Sequence, residues 1–195
     1  MRSIVGSPYF LWLLLSVPAI PMTMGALSGA PDVFHRLLHP TGEFAARFMI
    51  IAMMATPLKM ALPGWRGPRW LARNRRYFGV AAFAYALVHT IFYLIDVGII
   101  GALSEWAKLA IWTGWLAFLI FIPLAITSND ASVRALGTGW KRLQRWAYGA
   151  AVLTLLHWAA LHDWGGVGPA LVHFGPLIAL SAWRIARIRR SPKPA

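Results

Sequence analysis

The chain has no cysteine in 195 residues, which excludes disulfides, thiolate metal sites, iron–sulfur clusters and covalently attached c-type haem. Acidic residues are almost as scarce. Six Asp and Glu stand against nineteen Lys and Arg, and charged residues of all kinds make up 13% of the chain. None of the acidic residues is expected at the centre of an apolar run, which argues against a transporter that moves ions past mid-membrane carboxylates. Internal repeats and low-complexity tracts are not evident either, so the chain reads as one domain over residues 1–195.

What is present is apolar. Hydrophobic residues form 58% of the sequence and mean hydropathy is +0.58, with the apolar residues gathered in long runs. This composition belongs to an integral membrane protein. The expected fold is an all-α, six-helix membrane bundle with spans near residues 8–27, 43–62, 76–96, 105–126, 141–161 and 169–187. Pro18 and Pro21 should kink the first span. That run is too long for a signal peptide and lacks Ala-x-Ala-type processing near Gly25–Ala30, so it is expected to remain as a span. Pro63-Gly64-Trp65-Arg66-Gly67-Pro68 reads as an ordered loop.

A net charge of +13 would suggest nucleic acid in a soluble protein, but here the charges are segregated. Arg2, the group Lys59, Arg66, Arg69, Arg73, Arg75 and Arg76, the group Arg134, Lys141, Arg142 and Arg145, and the terminal Arg184, Arg187, Arg189, Arg190 and Lys193 hold sixteen of the nineteen cations. By the positive-inside rule these stretches face the cytoplasm, with both termini. The opposite connections keep Arg36, Arg47 and Lys108 beside Asp32, Glu43, Asp96, Glu105 and Asp163. The basic balance is therefore a topology and lipid-headgroup signal for an inner-membrane, multi-pass protein, and no nucleic-acid partner is expected. Tryptophans 65, 70, 106, 140 and 164 suit the interfacial belts.

Against this background two histidines stand out. His89 lies thirteen residues beyond Arg76, and His157 twelve beyond Arg145. At 1.5 Å per residue both imidazoles sit roughly 18–20 Å from the basic face, in the outer half of the bilayer. Ionisable groups inside a membrane are costly and are functional candidates by default. Two readings stay open: each histidine makes an interhelical hydrogen bond, or the pair supplies the axial ligands of a haem iron. The matched depth favours the second. Ala82, Ala86 and Ala150 would let a flat macrocycle approach, and Tyr85, Tyr93, Trp146 and Trp158 could edge it. His35 and His39 are expected in the first outer loop, and His162 just after the fifth span. His173 is a candidate alternative ligand or propionate contact. Arg75 and Arg76, with Lys141, Arg142 and Arg145, form a cationic inner rim suited to lipid headgroups, an acidic electron donor or a phosphate-bearing flavin.

Several segments carry a family resemblance in order: His39-Pro40-Thr41-Gly42, Ala55-Thr56-Pro57-Leu58, Asn74-Arg75-Arg76, Tyr85-Ala86-Leu87-Val88-His89, Pro123-Leu124-Ala125-Ile126-Thr127-Ser128-Asn129, Gly139-Trp140-Lys141-Arg142-Leu143 and Leu155-Leu156-His157-Trp158. In these the chain resembles the MsrQ family, haem-binding membrane subunits of periplasmic protein-methionine-sulfoxide reductases within the ferric reductase-like transmembrane group. The resemblance implies a b-type cytochrome that passes electrons from a cytoplasmic flavin reductase, through FMN or quinol, to a periplasmic molybdenum-containing reductase. It also implies that His89 and His157 are haem ligands. Where the family often has a further histidine at the inner end of the fifth span, this chain has Gln144, a poor iron ligand. One haem b is therefore expected, in the outer half. The competing functions are a stand-alone ferric or oxygen reductase and a haem-free transporter or scaffold. The first is disfavoured because the basic tail after the sixth span offers no flavin- and nicotinamide-binding domain.

Overall fold

The computed structural model of the chain describes residues 7–190; the expectations resting on Arg2, on Lys193 and on the two termini lie outside the described residues. All regular structure among them is helical. Helices α1 (Pro8–Ser16) and α2 (Ala19–Ala26) are bent by 47° across Val17 and Pro18. Pro18 supplies the expected kink. Pro21 falls in the first turn of α2, where a missing N–H costs nothing.

Helix α3 runs Val33–Ala61 and α4 Arg66–Ser104, and each begins ten residues before its expected span. His35 and His39 consequently lie on α3 and not in an outer loop. The cause is proline context. Pro40 deprives the Arg36 carbonyl of its partner, yet membrane helices absorb such breaks through neighbouring hydroxyls and backbone adjustment, and the Thr41 hydroxyl donates to the Leu37 carbonyl at 2.6 Å. Pro68 sits in the first turn of α4, so the tight connection is only Leu62–Trp65. Near its far end α4 breaks at Gly98, with φ 69° and ψ 168°, a conformation open to glycine alone.

Helix α5 (Leu109–Ile126) is followed by two short helices, α6 (Asp130–Leu136) and α7 (Thr138–Gln144), then α8 (Trp146–Ala160) and α9 (Val167–Arg190). The expected fifth span is thus divided at Arg145 into α7 and α8. Asn129 caps α6, accepting from the Ser132 N–H at 2.8 Å. Four helices, α3, α4, α5 and α9, are long and apolar enough to cross a membrane, and the bent α1–α2 pair can make a fifth. Large apolar side chains such as Ile99, Leu119, Val152 and Val172 are exposed, as lipid-facing residues should be. The chain is a multi-pass membrane protein.

Two antiparallel helix pairs organise the site. In the first, α3 meets α4: Arg75 Nη1 donates to Thr56 Oγ1 at 3.1 Å near one end, and His89 meets the Leu38 carbonyl near the other. In the second, α5 meets α8, with Gln144 Nε2 donating to the Leu124 carbonyl at 3.1 Å at one end and His157 meeting the Ala110 carbonyl at the other. Buried Ala81, Ala82, Ala150 and Ala151 let these helices approach closely. Phe48, Phe78 and Tyr85 fill the space between α3 and α4, and the Tyr85 hydroxyl donates to the Leu15 carbonyl at 3.1 Å.

The Arg76–Asp130 pair at 2.6 Å and the Trp140 bond to the Thr127 carbonyl gather at one end of the bundle. The His35–Asp96 and Lys108–Glu105 pairs gather at the other. Because the chain lacks cysteine, the separation of these ends is directly testable. Single cysteines introduced by Ala107→Cys and Ala135→Cys, both at exposed positions, should react with a membrane-impermeant maleimide from opposite sides of sealed vesicles; labelling from one side would contradict the arrangement.

Candidate functional site: a two-histidine cavity

The far halves of the two helix pairs bring the rings of His89 and His157 together, edge to face. Their ring centroids are 6.2 Å apart and their planes cross at 81°. His89 Nδ1 lies 3.0 Å from the Leu38 carbonyl oxygen, and His157 Nδ1 2.5 Å from that of Ala110. A carbonyl can only accept, so each Nδ1 carries the proton and each Nε2 keeps its lone pair. Among the described residues neither Nε2 makes a hydrogen bond.

Both rings line one largely apolar cavity between the two helix pairs, open along part of its wall. Its walls are small residues, Gly42, Ala45, Ala46, Ala86, Gly114 and Ala117, together with the aromatic Tyr93, Trp115, Phe118 and Phe121. Among the described residues no three His, Asp or Glu side chains gather as a cage for a bare metal ion. Two imidazoles across an apolar slot instead suit an iron that brings its own planar macrocycle. Donors ~2 Å from a shared metal place two imidazole centroids about 6 Å apart, which the observed separation matches. Metal-bound histidines characteristically donate their second nitrogen to a carbonyl, as both do here.

Other sequence candidates fall elsewhere. Of the small and aromatic residues expected around the pair, Ala86 and Tyr93 line the cavity, whereas Ala82, Ala150 and Tyr85 pack in the core, Trp146 is exposed and Trp158 packs at a tilt on His173, ring centroids 4.7 Å apart. His173 does not line the cavity. Its Nδ1 is 2.8 Å from the Pro169 carbonyl, and its Nε2 is 3.3 Å from both Arg47 and Glu43. Gln144 is bonded to α5, reaching the Leu124 carbonyl and, at 3.3 Å, Thr127 Oγ1.

At the basic end Arg75 contacts Thr56, and Arg76 pairs with Asp130, whose carboxyl its guanidinium holds below the usual carboxylate range. Close by, Lys59, Arg66, Arg69 and Arg73 line a second concavity, and none of the four has a carboxylate partner among the described residues. Sequence reasoning treated these cations as topology markers only. It also missed the contributions of α3 and α5 to the histidine cavity. The available signal was glycine: Gly42 and Gly114 fall inside apolar helices, where glycine costs ~1 kcal/mol relative to alanine and calls for a packing reason.

The family model described as "Ferric reductase like transmembrane component" matches residues 41–155. The protein-methionine-sulfoxide reductase heme-binding subunit MsrQ of Azospira oryzae is 33% identical over 188 residues, covering 92% of this chain and 78% of that protein. Its counterpart of the same name in Deinococcus radiodurans is 34% identical over 182 residues, covering 89% and 85%, and that of Brucella anthropi 30% over 197, covering 94% and 86%. No solved structure matches the chain.

Replacing either cavity histidine should remove one of two axial donors. His89→Ala and His157→Ala are each expected to lower retained haem more than tenfold and to abolish a low-spin spectrum, while His173→Ala keeps both; a haem spectrum indifferent to His89 and His157 would contradict the assignment.

Proposed function

The chain belongs to the MsrQ family, and on that footing we propose that it is a haem b-binding membrane subunit that carries electrons across the bacterial inner membrane. The observation that carries this reading is the pair of histidines on separate helices, each with Nδ1 committed to a carbonyl and Nε2 directed to neither a donor nor an acceptor. In this reading His89 and His157 are the residues that would hold one haem through their Nε2 atoms. Bound iron supplies a one-electron carrier.

The protein's own part is to bind and orient. α3 and α5 hold the two imidazoles in one tautomer, and the cavity walls are mostly apolar. A low-dielectric, preorganised surround keeps reorganisation small as charge changes by one electron. The donor is a cytoplasmic flavin reductase acting through FMN, or quinol. The acceptor is a periplasmic molybdenum-containing reductase of protein methionine sulfoxide, which consumes two electrons per sulfoxide and so draws twice on a one-electron carrier.

Charge supports the direction. The basic end, with Arg75 and Arg76 and the concavity of Lys59, Arg66, Arg69 and Arg73, suits an acidic donor surface or a flavin phosphate. By the positive-inside rule that end is cytoplasmic, which sets the histidine cavity towards the periplasm. α7 and α8 together are long enough for a sixth crossing at 1.5 Å per residue, returning both termini to the cytoplasm within a single membrane domain. Gln144, already bonded to α5, favours one haem.

The test is electron flow in reconstituted vesicles. Reduced FMN or quinol supplied at the basic side should reduce one haem b per chain, and a methionine-sulfoxide reductase with its substrate at the other side should reoxidise it. A haem-to-protein ratio clearly above one, or a haem that neither donor reduces, would contradict the proposal.

A further inference from the structure

Two five-residue segments on different helices repeat one arrangement. In α3 the segment is Leu38-His39-Pro40-Thr41-Gly42, and in α5 it is Ala110-Ile111-Trp112-Thr113-Gly114. In each, the carbonyl of the first residue meets the Nδ1 of a histidine on the antiparallel partner helix. Each threonine is fully buried, at 0% exposure. Their hydroxyls make the same bonds: Thr41 Oγ1 lies 2.6 Å from the Leu37 carbonyl and 3.1 Å from that of Leu38, and Thr113 Oγ1 lies 2.6 Å from the Leu109 carbonyl and 3.1 Å from that of Ala110. Each glycine lies directly under an imidazole. A Cβ at Gly42 would stand 3.1 Å from His89 Nδ1 and Cε1, and one at Gly114 only 2.7 Å from His157 Nδ1.

The physical logic is the same at both places. A helical carbonyl is screened from the side by the residue four positions on, because its own N–H points at that oxygen and its side chain covers the approach. Glycine there leaves the oxygen open to a ring from the next helix. The threonine three positions on sends its hydroxyl proton into its own helix, so it adds no competing donor beside Nδ1. At His89 this oxygen is itself 3.3 Å from Nδ1, and with its proton engaged elsewhere it offers only lone pairs. Nδ1 thus meets acceptors alone, which fixes its proton and leaves Nε2 as the ligating atom.

We infer that Thr41–Gly42 and Thr113–Gly114 are a duplicated carbonyl cradle that positions the two axial imidazoles and sets their donor strength towards iron. The inference rests on the haem reading above and goes beyond it by giving α3 and α5, which carry no ligand, control of the potential. The two halves are unequal. His89 Nδ1 faces the Leu38 carbonyl with the Thr41 oxygen beside it, whereas His157 Nδ1 faces the Ala110 carbonyl, and a bond donated from Nδ1–H raises basicity at Nε2.

The experiment measures haem content and midpoint potential of the purified full chain and its variants. Gly42→Ala and Gly114→Ala push a ring off its carbonyl; each should weaken haem binding 10–100-fold, the range of lost outer-shell bonds, and raise the potential of the haem retained, because a less basic imidazole stabilises ferric iron less. Thr41→Val should load haem and still raise the potential, and Thr41→Ser should restore it. Glycine variants with wild-type haem content and potential, or a Thr41→Val potential equal to that of Thr41→Ser, would overturn the cradle while leaving the haem reading intact. A wild-type chain without haem would overturn both.

Discussion

The bond from an imidazole Nδ1–H to a backbone carbonyl on the neighbouring helix is the constraint from which the architecture of this site follows. In an apolar bundle a histidine without a partner costs several kcal/mol, so each ring must find an acceptor. The acceptors they meet are helix carbonyls, joined at His89 by the Thr41 oxygen, and helix carbonyls are normally spoken for and screened. Opening one requires glycine at Gly42 and at Gly114, and close approach requires the alanine-rich faces of α4 and α8. Once both rings are so anchored, their second nitrogens have no hydrogen-bond partner among the described residues, and both rings line the same apolar cavity. A site for a flat cofactor is what remains between the two helix pairs.

Part of this was legible in the sequence. The depth of His89 and His157 could be read because Arg76 and Arg145 mark the start of each ascent, and the structure does bring the two rings together. The apolar runs announced a helical membrane protein, and Pro18 announced the bend between α1 and α2. Boundaries were less legible near proline: the 63–68 stretch read as a loop, yet Pro68 lies in the first turn of α4, and Pro40 lies inside α3, ahead of the expected start at residue 43. In both cases the missing N–H is tolerated for reasons that depend on helix position and neighbouring groups. The division at Arg145 carries no sequence mark at all.

The walls of the cavity were hidden for a different reason. Their contribution comes from α3 and α5, and the contact between His157 and Ala110 joins residues 47 apart. Periodicity within one helix cannot report which face of another it meets. The repeated Thr-Gly pair was visible as letters, yet its meaning depends on what lies opposite. The basic residues show the same limit: as a pattern along the chain they specify topology, whereas only folding gathers Lys59, Arg66, Arg69 and Arg73 around one concavity. Membership of the MsrQ family is in keeping with this geometry, which sets two buried histidines towards one end of the bundle and places the cations, with Gln144 bonded to α5, towards the other.

The central claim is that His89 and His157, whose ring planes cross at 81°, would together hold one haem iron. Ferric iron between crossed imidazole planes gives a strongly anisotropic low-spin resonance, and parallel planes give an ordinary rhombic one. Electron paramagnetic resonance of the oxidised, purified chain therefore tests the account most directly. It should show a low-spin ferric signal of the strongly anisotropic kind; an ordinary rhombic signal would contradict the crossed planes, and a high-spin signal, or no haem iron at all, would contradict the ligand pair.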